Sequence, residues 1–240
     1  MKTSAKNARI SLQIRRPTQE RGRQKFEAIL DAADRLLEIR DPADISIYDL
    51  AADLNTSPPS IYHFFPDISL VFVALAERYL LGIEQMSLDV DEAVASWQEL
   101  IDIQFERVRV IYDTRAPVRK ILLGPGYSYE IFSRDIATTV VNASRSLELM
   151  GRRFEMPNIP DLLDRLVEMV KIGDAMWMLS IHRHGRITDA GAELASRARI
   201  AYLRTVLPEH LVPRKQKQQT GAAAPIPRRR VRAKASQSHK

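Results

Sequence analysis

Apolar positions in this chain return every three or four residues from Phe26 to Tyr202, and no convincing two-residue alternation interrupts them, so the pattern predicts an all-α protein. Phe26, Ile29, Leu30, Ala33, Leu36 and Leu37 make one face of an amphipathic helix of about 15 to 20 residues, ending near Arg40. Ile47, Leu50, Ala51 and Leu54 form a stripe only about two turns long. Leu70, Val71, Ala74, Leu75, Tyr79 and Leu80 repeat the longer pattern downstream. From there the periodicity predicts helices over 67–88, 93–113, 117–123, 128–150, 160–184 and 188–207, separated by the breakers Thr114 to Pro117, Gly124-Pro125-Gly126, Pro157 to Pro160 and Gly185. Long helices with short connections pack as an antiparallel bundle, for about nine helices in all.

The two short segments between residues 44 and 66 are punctuated at both ends. Ser46 can accept a hydrogen bond from the Asp49 N–H, and the Asp49 carboxylate suits the positive first turn, so a helix starts there. Asn55 tolerates the left-handed conformation that stops a helix and redirects the chain. Ser57 with Pro58 in the first helical position restarts it, Pro59 is tolerable because its missing N–H would have had no intrahelical acceptor, and Pro66 ends it after Phe65. A helix barely two turns long is unstable alone, so Ile61, Phe64 and Phe65 must be held by the neighbouring long helices. This is a helix-turn-helix. Its uncovered face carries Thr56, Ser57, Pro58, Ser60, Tyr62 and His63, hydroxyls and polar aromatics suited to phosphate oxygens and base edges. With no lysine or arginine on that face, DNA shape shares the readout. The alternative is a helical hairpin that only packs.

The run Ser46-Ile-Tyr-Asp-Leu-Ala through Thr56-Ser-Pro-Pro-Ser-Ile-Tyr-His-Phe-Phe-Pro resembles the DNA-binding domain of the TetR family of transcriptional regulators, over residues 25 to 80. The resemblance implies that Ser57 to Phe65 is the recognition helix, that Tyr62 and His63 contact the operator backbone, and that Ser46 and Tyr48 flank phosphates. Two departures stand out. The family's turn glycine is Asn55 here, and its lysine after the Phe-Pro pair is replaced by Ile68, preceded by Asp67. One familiar phosphate contact is therefore missing.

Charge supplies a substitute. The chain is +6 overall, but residues 1–25 carry +7, residues 213–240 hold nine basic and no acidic residues, and residues 26–212 stand at −10. Cationic arms flank an acidic body, and each phosphate they neutralise releases counterions. Arg15, Arg16, Arg21 and Arg23 are best placed to reach a flanking minor groove. The C-terminal segment, rich in Gln, Ala, Pro and Arg, has little apolar mass to bury and is expected to be disordered. The expected organisation is a basic flexible arm over 1–17, a helix-turn-helix domain over 18–66, a helical ligand-binding and dimerisation domain over 67–208, and a basic disordered tail over 209–240.

There is no cysteine, which excludes disulfides, a thiolate nucleophile and a cysteine zinc site. No stretch approaches the ~18 to 20 apolar residues of a spanning helix, and the basic N-terminus lacks the apolar core of a signal peptide, so a cytoplasmic, nucleoid-associated protein is expected. His182 and His184 project about 200° apart on a helix, which discourages metal binding. Hydrolase elbow, phosphate loop, dinucleotide fingerprint and zinc-protease motif are all absent, so neither an enzyme nor a cofactor is expected.

In the larger domain Trp97, Leu100, Ile101, Phe105, Val108 and Tyr112 share a face with Gln104 and Arg109 nearby, and Phe132, Ile136, Val140, Ala143, Leu147 and Met150 could oppose it. Such stripes are usually core, but a mostly apolar surface with a few polar groups also suits a hydrophobic effector. The resemblance, in which this region holds an inducer pocket, makes Trp97, Ile101, Gln104, Phe105, Tyr112 and Trp177 candidate ligand residues. The helix over 160–184 is apolar on two sides, and Gly191, Ala195, Ala198 and Tyr202 form a small-residue face on the next. The resemblance implies a homodimer through these last two helices. The expected function is a ligand-responsive repressor on a palindromic operator. A DNA-docked structural or partner-binding regulator without inducer, and a helical domain with a vestigial helix-turn-helix, stay open.

Overall fold

The computed structural model describes residues 13–86, 90 and 94–214. The basic arm before residue 13, the tail after residue 214 and the expected helical ends at 87–88 and 93 lie outside the described residues. Within them the chain forms α1 (Glu20–Ile39), a short 3-10 turn (Pro42–Asp44), α2 (Ile47–Asp53), α3 (Pro58–Tyr62), α4 (Ile68–Gln85), α5 (Trp97–Thr114), α6 (Ala116–Leu122), α7 (Tyr129–Arg153), α8 (Leu162–His184) and α9 (Asp189–Leu203). Among the described residues no helix is long and apolar enough to cross a membrane.

The first four helices close on one core. Ile29, Leu30 and Leu37 of α1 meet Leu50 of α2, Ile61 of α3, the following Phe65 and Leu75 of α4, all nearly or wholly buried. Phe26 lies 4.7 Å from the Phe65 ring and edge-on to Phe64 at 6.1 Å. Two turns of helix cannot persist alone, and this aromatic clasp supplies what α3 lacks.

At the start of α2 the expected cap is a full capping box: the Ser46 hydroxyl accepts from the Asp49 N–H at 3.3 Å, and the Asp49 carboxylate accepts from the Ser46 N–H at 2.8 Å. Arg40, just past α1, pairs with the same carboxylate at 2.9 Å. The bonds from Ser46 and Arg40 hold the Asp49 carboxyl well below its ordinary range. Its contribution to stability is therefore present above the ordinary carboxylate value and is lost as pH falls towards the lowered one.

A second core lies at the far end of the bundle, where Trp97, Leu100 and Ile101 of α5 meet Met150, Leu166, Met169 and Leu203. The chain after α9 straps this end shut instead of entering a disordered tail at 209. Trp97 Nε1 donates to the Pro208 carbonyl at 3.0 Å, Gln98 Nε2 to the Glu209 carbonyl at 2.9 Å, and Arg214 N to the Arg153 carbonyl at 2.7 Å. The backbone at Phe154 and Pro213 forms an isolated antiparallel bridge. The described chain thus stays bonded to the helical bundle as far as Arg214.

Between α8 and α9, Gly185 takes a left-handed φ of 71° and closes α8. Gly191 and Ala195 allow close approach within the chain: a Cβ on Gly191 would lie 2.6 Å from Ser180 Oγ of α8, and Ala195 is fully buried. The small-residue face thus serves packing within the chain. Leu179 and Leu194 are the large apolar residues that α8 and α9 leave exposed. We expect Ser46→Ala to destabilise the helix-turn-helix domain by about 1 kcal/mol in urea unfolding, with the cost shrinking in acid as Asp49 is protonated.

Candidate nucleic-acid interface and ligand cavity

The turn between α2 and α3 rests on Asn55, which adopts a φ of 49°, and on a hydrogen bond from Thr56 N to the Ala51 carbonyl at 2.9 Å. Asn is among the residues that reach this conformation at least cost, which explains how it replaces glycine. Ser57 occupies the N-cap of α3, yet its hydroxyl makes no capping bond. Pro58 and Pro59 carry no N–H, and the Ser60 N–H donates to the Ser57 carbonyl at 3.0 Å, so no donor remains for the side chain. The hydroxyl instead shares a hydrogen bond with Ser60 Oγ at 3.2 Å. Regular α-helix ends at Tyr62, three residues before the expected Phe65, because the N–H groups of both Phe64 and Phe65 turn back onto the Ile61 carbonyl.

This tight ending buries Phe64 and Phe65 while turning Tyr62 and His63 out. Tyr62 is 40% and Tyr48 66% exposed, and both are outward on the same domain as the exposed Ser57. Thr56, Pro58 and Ser60 are half-buried. Ser46 is less available for a phosphate than its position implied, because its hydroxyl both accepts from the Asp49 N–H and donates to the Asp49 carboxylate.

The basic residues ahead of α1 divide into two groups. Arg16 is ion-paired with Glu77 of α4 and lies 5.9 Å from the centre of the Phe26 ring, so its charge is engaged within the domain although its side chain stays exposed. Arg23 pairs with Glu20 at 2.9 Å and donates to the Thr18 carbonyl at 3.0 Å. Arg15 is exposed, and its backbone N–H bonds the Phe64 carbonyl at 2.9 Å, which fixes the start of the arm beside the end of α3. Arg21 and Lys25 are exposed on α1.

In the helical domain, Ile101, Gln104, Phe105, Tyr112 and Trp177 line one cavity between α4, α5, α7 and α8, about 730 Å³ of atom-free space with the open solvent at its mouth included. Trp97 does not line it; it is fully buried in the second core and bonded to Pro208. A tryptophan at a helix start serves equally as strut or wall, and only the distant Pro208 decides which. The stripe expected to oppose α5 is also rotated. Phe132 and Val140 of α7 are exposed, and α7 presents Asp135, Thr138, Thr139, Asn142, Ala143 and Ser146 to the cavity. Reading for apolar residues missed this face. Its signal was a helical stripe of polar residues opposite an apolar helix.

Those polar groups are organised. Ser146 Oγ donates to Gln104 Oε1 at 2.7 Å, and both residues are buried. Asp135 accepts from Tyr127 Oη at 2.6 Å and from Lys171 Nζ at 2.6 Å, and Lys171 also donates to Asp174 at 2.9 Å. Burial raises the Asp174 carboxyl above its ordinary value, against the opposing pull of Lys171. Burial would lower the Lys171 ammonium, but the two carboxylates prevail and raise it. Phe105 and Trp177, 5.7 Å apart and edge to face, form the wall towards α9. Behind it Arg199 stacks 3.8 Å from the Phe105 ring centre, and burial lowers its pKa to about 10 despite Asp102 at 3.5 Å.

A compact helix-turn-helix domain docked on a helical domain with an internal cavity defines a class of DNA-binding regulator. Residues 29–75 match the family model of the bacterial regulatory proteins of the tetR family. A stretch of 78 residues is 38% identical to the HTH-type transcriptional regulator EthR of Mycobacterium tuberculosis, covering 32% of this chain and 36% of that protein. The chain thus matches about a third of the length of that relative. Among solved structures, a TetR-family transcriptional regulator from Streptomyces coelicolor superposes with a TM-score of 0.57 at 22% identity, over 76% of this chain and 99% of that one. SmeT, the repressor of the Stenotrophomonas maltophilia multidrug efflux pump SmeDEF, superposes with a TM-score of 0.53 at 18% identity, over 73% and 88%. Residues 29–75 thus carry a helix-turn-helix domain of the tetR family, and the chain as a whole shares its fold with TetR-family regulators of known structure.

Trp97→Phe is expected to lower stability by about 1–2 kcal/mol in urea unfolding while leaving the binding of any cavity ligand unchanged. A parallel loss of ligand affinity would put Trp97 back in the cavity.

Proposed function

We propose that this chain is a homodimeric transcriptional repressor that binds a palindromic operator and is released from it by a small molecule held in the cavity. The observation that carries this reading is the outward-turned face of Tyr48, Ser57, Tyr62 and His63, held on a domain physically tied to the cavity wall. Phosphate contacts would come from Tyr48, Tyr62 and His63, with Ser57, Ser60, Thr56 and Pro58 nearest the bases. Arg15 and Arg21 are the better placed arginines for a flanking groove, since Arg16 and Arg23 are engaged within the chain.

Two protomers would join through α8 and α9, where Leu179 and Leu194 are exposed with Ala175, Ala190 and Ala201. Such a two-fold dimer would set its recognition helices about one helical turn apart, ~34 to 36 Å. Release needs a route from cavity to DNA, and two hydrogen-bonded connections supply one through α6. Arg119 bonds the carbonyl of the cavity residue Tyr112 at 2.5 Å, and Tyr127, bonded to Asp135, follows a turn in which Gly126 N donates to the Lys120 carbonyl at 2.9 Å. Lys120 Nζ then grips the carbonyls of Leu37 and Arg40 at 2.9 and 2.8 Å, at the end of α1. A ligand that favours a displaced α6 would shift the domain that carries α3, and a coupling of about 1 to 3 kcal/mol gives ~5 to 150-fold release.

Tyr62→Phe and His63→Ala should each weaken operator binding about 5- to 10-fold without changing the melting temperature, the loss of one phosphate hydrogen bond. Operators recovered by genome-wide footprinting provide the assay, and unchanged affinity in both variants would remove these residues from the interface. Deleting 215–240, which leaves the Arg214 strap in place, should flatten the dependence of affinity on salt while keeping the footprint. An unmoved slope would take the tail off the DNA.

A further inference from the structure

The charged residues that line the cavity are both acidic: Asp135 on α7 and Asp174 on α8. Lys171, which pairs with both, does not line the cavity and supplies one positive charge to two carboxylates. With both carboxylates ionised, the cluster is left with one negative charge in excess of Lys171. Asp135 is well occupied, with Tyr127 and Lys171 on Oδ2 and Thr139 at 3.3 Å on Oδ1. Asp174 is less so; among the described residues its side chain takes a hydrogen bond from Lys171 on Oδ2 alone, leaving Oδ1 for the cavity. Its side chain is 16% exposed, so water screens this surplus charge poorly.

The rest of the wall complements a charge of the opposite sign. Phe105, Tyr112 and Trp177 stand in the same cavity, with Trp177 edge-on to the other two at 5.7 and 5.9 Å. Aromatic faces attract a cation and are indifferent or adverse to an anion. Arg199 lies on the α9 side of this wall and pairs with Asp102 at 3.5 Å; its charge reaches Asp174 only through space, with no hydrogen bond between the two.

We infer that the ligand of this cavity is a lipophilic amine, its ammonium bonded to Asp174 beside Asp135 and its apolar body against Phe105, Tyr112 and Trp177. The inference rests on the cavity being the effector site. A carboxylate ligand would be repelled at the acidic end, and a neutral one would bury the surplus charge without a partner. Because Asp135 also holds Tyr127, an ammonium drawing on Asp135 would act on the turn that leads to α6.

The test uses full-length protein and three matched probes: 4-phenylbutylamine, 4-phenylbutan-1-ol and 4-phenylbutyrate. Affinities come from isothermal titration, with tryptophan emission as second readout, since Trp177 lines the cavity and the chain's other tryptophan does not. The amine should bind at least ~10-fold more tightly than the alcohol, and the butyrate most weakly. Asp174→Asn, near-isosteric, should bring amine and alcohol within ~2-fold, and Asp135→Asn should reduce the advantage while circular dichroism shows both variants folded. An alcohol that binds as tightly as the amine, or an amine advantage that survives both substitutions, overturns the inference while leaving the effector cavity standing. If none of the three binds, or binding persists when Ala143→Trp fills the cavity, the effector reading fails and the inference with it.

Discussion

Everything in the helix-turn-helix half depends on burying Ile61, Phe64 and Phe65. Helix α3 has five residues of regular structure, two of them prolines, too little to persist on its own hydrogen bonds. Its position is therefore set by the Phe26 clasp and by the underlying Leu50 and Leu75, not by helix propensity. Two consequences follow from the same burial. Turning Phe64 and Phe65 inward forces Tyr62 and His63 outward, and anchoring the arm at the Phe64 carbonyl places Arg15 beside them.

That core does not stop at the domain boundary. It continues through Val118, Ile121 and Leu122 of α6 to Tyr112 and Trp177, which also face the cavity. The small helix α6 is thus packed into the DNA-binding half while hydrogen-bonded to the cavity side through Arg119, and Lys120 caps the end of α1. The wall opposite α5 carries a stripe of polar residues where a bundle built for stability would place leucines. Buried polar groups are costly unless partnered, and here Gln104 pairs with Ser146 and Asp135 with Tyr127 and Lys171. Stability in this part of the molecule is exchanged for a cavity with a charged end.

Much of the fold was legible because its signals are local. The cap at Ser46, the left-handed Asn55, the breaker Gly185 and 3.6-residue stripes each act within a turn or two of the backbone, and helix bounds agree with them closely. The outward face of α3 was legible for the same reason: within one short helix, burying Ile61 decides which neighbours face out. The helical domain was harder to read. A stripe says which residues share a face, not what covers it, so Trp97 read as a cavity wall.

The sequence by itself therefore determined the helices, the helix-turn-helix and its exposed side chains, because hydrogen-bond satisfaction and side-chain period are properties of neighbouring residues. Tertiary structure alone decided the rest. Pro208 claimed Trp97, Glu77 claimed Arg16, and the rotation of α7 put Asp135 rather than Val140 towards α5. Each of these depends on partners tens of residues away, whose competition for one surface no local pattern records.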